Sequence, residues 1–267
     1  MNEFDWSLLA APFVAGLLVL ATHVPLGREV LKRGIIFIDL AIAQVAGLGL
    51  MLAKILEWSH SEDTLGLASI DPATQITAAA AACAGALLLT WSGKRWPEIQ
   101  EALIGLLFVF AASAGILLLA HNPHGGEHLK DMLAGQILWV NWSQLALPAV
   151  IYAAILVFWF TLRQRFGDGG FYLLFALTVT FSVQLVGVFL VFTSLIAPAI
   201  ASRGSAGWKG LCFAYGVGAL GYALGLAASA WWDLPSGAAI ACVLCALAGV
   251  GLRSRQAKCQ PGAQKIQ

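Results

Sequence analysis

The sequence predicts an all-α fold, a polytopic membrane bundle of about eight or nine transmembrane elements, and three observations predict it. Of 267 residues, 60% are hydrophobic and 11% charged, with a mean hydropathy of +0.82, too little charge to cover a soluble domain of this length. Apolar runs of span length recur along the chain. All ten tryptophans (6, 58, 91, 96, 139, 142, 159, 208, 231 and 232) fall near the ends of those runs, where amphipathic rings anchor helices at the membrane interface.

The first run, 7–22, follows "MNEFDW", acidic where a cleaved signal peptide is positive, and therefore reads as a retained span. Arg28, Lys32 and Arg33 separate it from the second run, 35–56. The polar stretch "EWSHSEDTLGLASID" (57–71) leads into 75–91, Lys94 and Arg95 into 99–120, and "HNPHGGEHLKD" (121–131) into 145–162. Arg163 and Arg165 precede 171–201, Arg203 and Lys209 precede 210–231, and the last run is 235–252. A single membrane domain over 1–252 with a short basic tail over 253–267 accounts for the whole chain.

Basic residues mark alternate connections as cytoplasmic and place the N-terminus outside. One crossing between Arg165 and Arg203 breaks that alternation. Run 171–201 is about 45 Å long as one helix, too long for one span, so an extra crossing is expected inside it, with Gly187 and Pro198 as places to break. That gives about nine membrane elements, one of them short or re-entrant, and a cytoplasmic C-terminus.

Other classes are excluded. A net charge of +1 gives no basic surface for nucleic acid. The five cysteines form no disulfide or zinc-finger spacing, and Cys242 and Cys245, one helical turn apart, read as buried small residues. No phosphate-cradling Gly-x-x-x-x-Gly-Lys loop and no His-Glu-x-x-His helix occurs.

Within "GIIFIDLAIAQVAGLGL" (34–50), Asp39 and Gln44 interrupt an apolar helix. An intramembrane carboxylate is costly and faces a partner, a pore or a functional path. Asp39 therefore reads as a transient cation contact, with a helix-end or hydroxyl partner as the structural alternative. Gln44 lies about 140° from it around the axis and reads as a pathway contact or an interhelical hydrogen bond. On the 121–131 stretch, His121, His124, Glu127 and His128 carry zinc-suited donors, and Glu127, His128 and Asp131 fit one short helix; a loop that docks another protein is the alternative. His60, Glu62, Asp63 and Asp71 form a third group, on the other large outward loop, that reads as a metal contact or a contact for another protein, with a solvated acidic loop as the alternative. His23, beside Pro25, reads as structural, and Gly221-x-x-x-Gly225 as helix packing.

Four segments together resemble a family: "HVPLGREVLKRGIIFIDLAIAQVAGLGL" (23–50), "DMLAGQILWVNWSQL" (131–145), "VQLVGVFLVFTSLIAPAIAS" (183–202) and "WWDLPSGAAIACVLCAL" (231–247). They are similar, in order, to the permease of ATP-binding-cassette importers for zinc, manganese and ferrous iron. The resemblance implies a type II importer permease in the bacterial inner membrane, working as two permease copies in lipid with two cytoplasmic ATPase chains and an extracytoplasmic metal-binding protein. It implies a transport subunit rather than an enzyme, with ATP hydrolysed by the partner, no permanently bound cofactor, and zinc as the first candidate cargo, manganese or iron(II) next. It makes Ser202, Arg203, Gly204 and Lys209 part of a short helix that docks the ATPase. The family's second span carries an aspartate followed four residues later by a histidine. Alignment on Pro25-Leu26-Gly27 puts Leu40 and Gln44 at those positions, with Asp39 one residue early. The alternatives are a permease for a metal chelate such as a siderophore or cobalamin, and an ion-gradient-driven metal carrier.

Overall fold

Apolar runs of this length satisfy their own backbone only as helices, and helices are what they form. The computed structural model describes residues 9–55, 72–120, 133, 135, 137–205 and 207–259, without the side chains of 54–55, 72–73, 162–166 and 253–259. The described residues contain α1 (Ala10–Arg33), α2 (Ile38–Ile55), α3 (Pro72–Arg95), α4 (Gln100–Leu119), α5 (Trp142–Val186), α6 (Val188–Ala201), α7 (Gly207–Trp232) and α8 (Ser236–Cys259), and no strand. Short 3-10 turns, Pro97–Ile99 and Ile137–Trp139, precede α4 and α5.

α1 runs eleven residues past the apolar boundary expected at 22, through Pro25 and the basic residues. A proline inside a helix leaves the carbonyl four residues earlier without its donor. Here that carbonyl belongs to Ala21, and the Tyr215 hydroxyl of α7 donates to it at 2.8 Å. A tertiary hydrogen bond replaces the missing helical one, so the helix continues.

α5 is two spans, Trp142–Thr161 and Gly167–Val186, joined where Gly167 leaves the helical region at φ 57°, ψ −151°. The halves fold back on each other: Tyr152 and Ser182 share a 2.6 Å hydroxyl hydrogen bond, and the Trp159 and Phe171 rings lie 5.9 Å apart. Trp159 is therefore a core residue, against the expectation of an interfacial anchor; the other seven described tryptophans are exposed.

The break expected within 171–201 is present, and a short apolar helix follows it. Gly187, at φ 82° and ψ 161°, separates α5 from α6, a backbone conformation open to glycine. Pro198 lies inside α6 and does not end it. At fourteen residues α6 spans about 21 Å, less than the ~30 Å hydrocarbon core, and eleven of the fourteen are buried. Surrounding protein rather than lipid receives its ends.

Packing places α6 against α1, α7 and α8 on one side of the molecule, and α2 against α3 and α4 on the other, with α5 touching both groups. Gly221 and Gly225 admit Leu244 and Ile240 of α8, so this small-residue pair serves packing within the chain. Cys242 and Cys245 are exposed, contrary to the expectation that they are buried. Six described helical stretches are long and apolar enough to cross a membrane, and three shorter apolar helices accompany them, including Ile38–Ala53 of α2 and α6 itself.

The connections carrying the basic residues meet at one end of the bundle. Arg33 pairs with Asp168 at 2.6 Å and lies over the Phe171 ring at 4.4 Å. Gln100 donates to the Tyr172 hydroxyl, and the Phe37 amide donates to Glu101 at 3.2 Å. Arg28 donates to the carbonyls of Ser205 and Gly207 at 2.9 and 3.3 Å. Arg203 and Lys209 therefore flank a turn that sits beside the end of α1, which the alternation of charge requires.

Candidate functional site

Asp39 lies in the first turn of α2, near the basic end of the bundle rather than at mid-span. Its side chain is only 1% exposed, and both carboxylate oxygens are buried without a hydrogen-bond partner. The local sequence explains the position. Gly34 closes α1 in the left-handed conformation, with its amide bonded to the Val30 carbonyl, and three residues then carry the chain round to Ile38. A helix N-terminus stabilises negative charge, so the fold tolerates Asp39 there without giving it a hydrogen-bond donor.

Gln44 is buried as well, 5% exposed, and lies five residues further along the same helix, about 7.5 Å deeper. The two polar groups thus occupy successive depths on different faces of α2 and do not form one chelating pair. Among the described residues, no group of three or more His, Cys, Asp and Glu is placed to hold a metal ion. Leu40 packs against the hydrophobic core.

Glu101, which the sequence did not single out, secures the start of α2. One carboxylate oxygen accepts the Phe37 amide, two residues before Asp39, and the other is buried without a partner. Its signal in the sequence was a carboxylate in the first turn of an apolar helix. Nothing in the sequence places it beside α2.

His23 is fully buried within α1, not at its end. Its Nδ1 lies 2.9 Å from the Val19 carbonyl and 3.2 Å from the Thr22 hydroxyl, while Nε2 is buried without a partner. His121, His124, Glu127, His128 and Asp131, and His60, Glu62, Asp63 and Asp71, lie outside the described residues.

The second functional element is the connection between α6 and α7. Ser202 is buried and its hydroxyl donates to the Ala199 carbonyl at 3.1 Å. Arg203 and Gly204 are exposed, and Lys209 is exposed in the first turn of α7 beside Trp208. Gly204 and Gly207 have φ of 87° and 64°, which ends helical geometry on either side, so residues 202–205 form a tight turn rather than a helix of their own. Arg28, read from sequence only as a topology charge, ties that turn to α1 through two carbonyls.

The family model described as "ABC 3 transport family" matches residues 5–168 and 161–252. No curated protein matches the chain. Among solved structures, the fold is similar to that of PsaBC from Streptococcus pneumoniae in complex with Fab, with a TM-score of 0.73 at 19% identity, covering 95% of this chain and 96% of that one.

Proposed function

The chain belongs to the ABC 3 transport family, and from that premise we propose that it is the permease subunit of an ATP-driven importer of divalent transition metal ions. The observation that carries the reading is Asp39: a buried carboxylate whose two oxygens have no hydrogen-bond partner is available to a passing cation. The resemblance ranks zinc first. Asp39 and Gln44 offer only oxygen, which suits manganese and ferrous iron at least as well.

In the proposed mechanism an extracytoplasmic binding protein delivers the ion to the end of the bundle away from the basic connections. A cytoplasmic ATPase docks at the turn around Arg203, Gly204 and Lys209, and its closure on nucleotide moves α6 and, through Arg28, α1. Gln44 and then Asp39 contact the ion in succession. Separate single contacts hold it weakly, and a weakly held ion is released.

The test is ATP-dependent uptake of radioactive zinc and manganese into vesicles containing this chain with its ATPase and binding protein, wild type against Asp39→Asn. Uptake is expected to fall at least about tenfold in the variant, equivalent to about 1.4 kcal/mol in the barrier, with the complex still assembled. If neither ion moves with wild type, the metal assignment fails. If the variant transports normally, Asp39 is not a pathway group.

A further inference from the structure

Where α1 packs against α6 and α7, a buried acceptor lacks a donor and a buried hydroxyl pair holds one hydrogen too many. Gly16, Leu20, His23 and Gly27 recur at spacings of three and four residues and so share one face of α1. Gly16 leaves room for the Tyr222 ring of α7, Leu20 packs against Gly218 of α7, and Gly27 lies against the Leu195 carbonyl of α6. The Tyr222 hydroxyl reaches across to Ser194, the neighbour of Leu195, at 2.8 Å. Tyr222 therefore bridges α7 to α6 along the stretch of α1 between Gly16 and Gly27, and His23 is the polar residue of that face. All three side chains are fully buried.

The hydrogens on these groups can be counted. A carbonyl only accepts, so His23 Nδ1, 2.9 Å from the Val19 carbonyl, carries the ring hydrogen, and Nε2 of the neutral ring keeps a lone pair that no donor meets. Ser194 and Tyr222 bring two hydroxyl hydrogens to one shared bond, and among the described residues neither hydroxyl makes another. One hydrogen of the pair is left without an acceptor. The other buried tyrosine–serine pair differs: Ser182 donates to the Thr178 carbonyl and Tyr152 donates to Ser182, so both hydrogens are placed. A spare acceptor and a spare donor shut away from water each raise the free energy of this arrangement, and joining them removes both costs.

We propose that His23 is a positioning residue of the transport cycle: in the alternate conformation of the bundle its Nε2 accepts the free hydroxyl hydrogen of the Ser194–Tyr222 pair and latches α1 to α6 and α7. The proposal rests on the reading of the chain as the permease of an ATP-driven importer, and not on which ion is carried. Arg28 already joins α1 to the turn between α6 and α7, and His23 lies about 7.5 Å further along α1 from that joint. A shift of α6 and α7 against α1 about Arg28 closes the latch, and the return shift opens it. An interface with two discrete hydrogen-bond patterns is a bistable element, which alternation between two conformations requires.

The test is a double-mutant cycle read in two ways. His23→Leu, Tyr222→Phe and the double variant are made in the full chain. Thermal unfolding is followed on the chain in detergent, and ATP turnover on the complex with its ATPase and binding protein in nanodiscs. The two side chains do not bond in the present arrangement, so their effects on unfolding are expected to add. Turnover is expected to fall about tenfold in each single variant and no further in the double. His23→Gln, whose amide oxygen accepts in place of Nε2, should recover part of the turnover that His23→Leu loses, and this comparison stands alone if Tyr222→Phe fails to assemble. Turnover unchanged in His23→Leu, no recovery in His23→Gln, or losses that multiply in the double variant overturn the proposal. Coupling already present in unfolding also overturns it, and assigns the two groups to a water molecule bridging them in the present arrangement. A wild-type complex that hydrolyses no ATP refutes the permease reading and the latch with it, whereas a failed cycle in an active complex refutes the latch alone.

Discussion

At the scale of single residues, Asp39 and Tyr215 show opposite ways of handling a polar group in an apolar interior. Asp39 is left without a hydrogen-bond partner, and an unsatisfied buried polar group costs about 1–3 kcal/mol. Asp39→Leu is therefore expected to raise the thermal unfolding midpoint of the detergent-solubilised chain while removing uptake; a lowered midpoint would mean that the carboxylate holds the fold together. Tyr215 instead satisfies the Ala21 carbonyl that Pro25 strips of its donor. Tyr215→Phe should then destabilise by about 1–3 kcal/mol in the Pro25 background and by much less in Pro25→Ala, where the helix supplies its own donor. A double-mutant cycle on unfolding measures that coupling, and additive effects would refute it. Asp39 was legible in the sequence because a carboxylate stands out in an apolar run. The partnership of Pro25 with Tyr215 was not, since nothing local indicates which hydroxyl reaches a carbonyl 194 positions away.

At the scale of elements, α6 is short, buried and bounded by glycine conformations at Gly187 and Gly204. Arg28 fixes the turn at its end to α1 by bonds to Ser205 and Gly207. Arg28→Met is expected to leave the complex assembled and ATP hydrolysed, with metal uptake per ATP reduced at least about tenfold, about 1.4 kcal/mol of coupling. Arg28→Lys, whose point-like ammonium replaces a planar fork, should retain part of the coupling. Equal loss of hydrolysis and uptake in Arg28→Met would assign the residue to folding rather than to coupling. The break within 171–201 was legible from length and charge. Its place at Gly187 rather than Pro198 depended on which backbone leaves the helical region. Likewise, the continuation of α1 through Pro25 depended on a donor from α7.

At the scale of the whole molecule, the basic connections gather at one end of the bundle through the contacts of Arg28, Arg33, Gln100 and Glu101. The positive-inside rule assigns that end to the cytoplasm. With the native cysteines removed, a cysteine at Lys94 or Lys209 should react with a membrane-impermeant maleimide in inside-out vesicles and not in intact cells. The reverse pattern would invert the orientation and, with it, the proposed direction of transport.

By itself the sequence determined the fold class, the number of membrane elements, the grouping of charged connections and the residue most out of place in an apolar helix. Each of these is a local or compositional property: hydrophobic length, charge alternation, and the cost of a carboxylate away from water. Tertiary structure alone decided that Tyr215 reaches the Ala21 carbonyl, that Glu101 caps the start of α2, that Arg28 holds the α6–α7 turn, and that Trp159 lies in the core. Those facts concern hydrogen-bond partners and burial between helices far apart in the chain. A polar side chain in a span announces that it needs a partner, but only the packing of the bundle says which one it finds or, for Asp39, that it finds none.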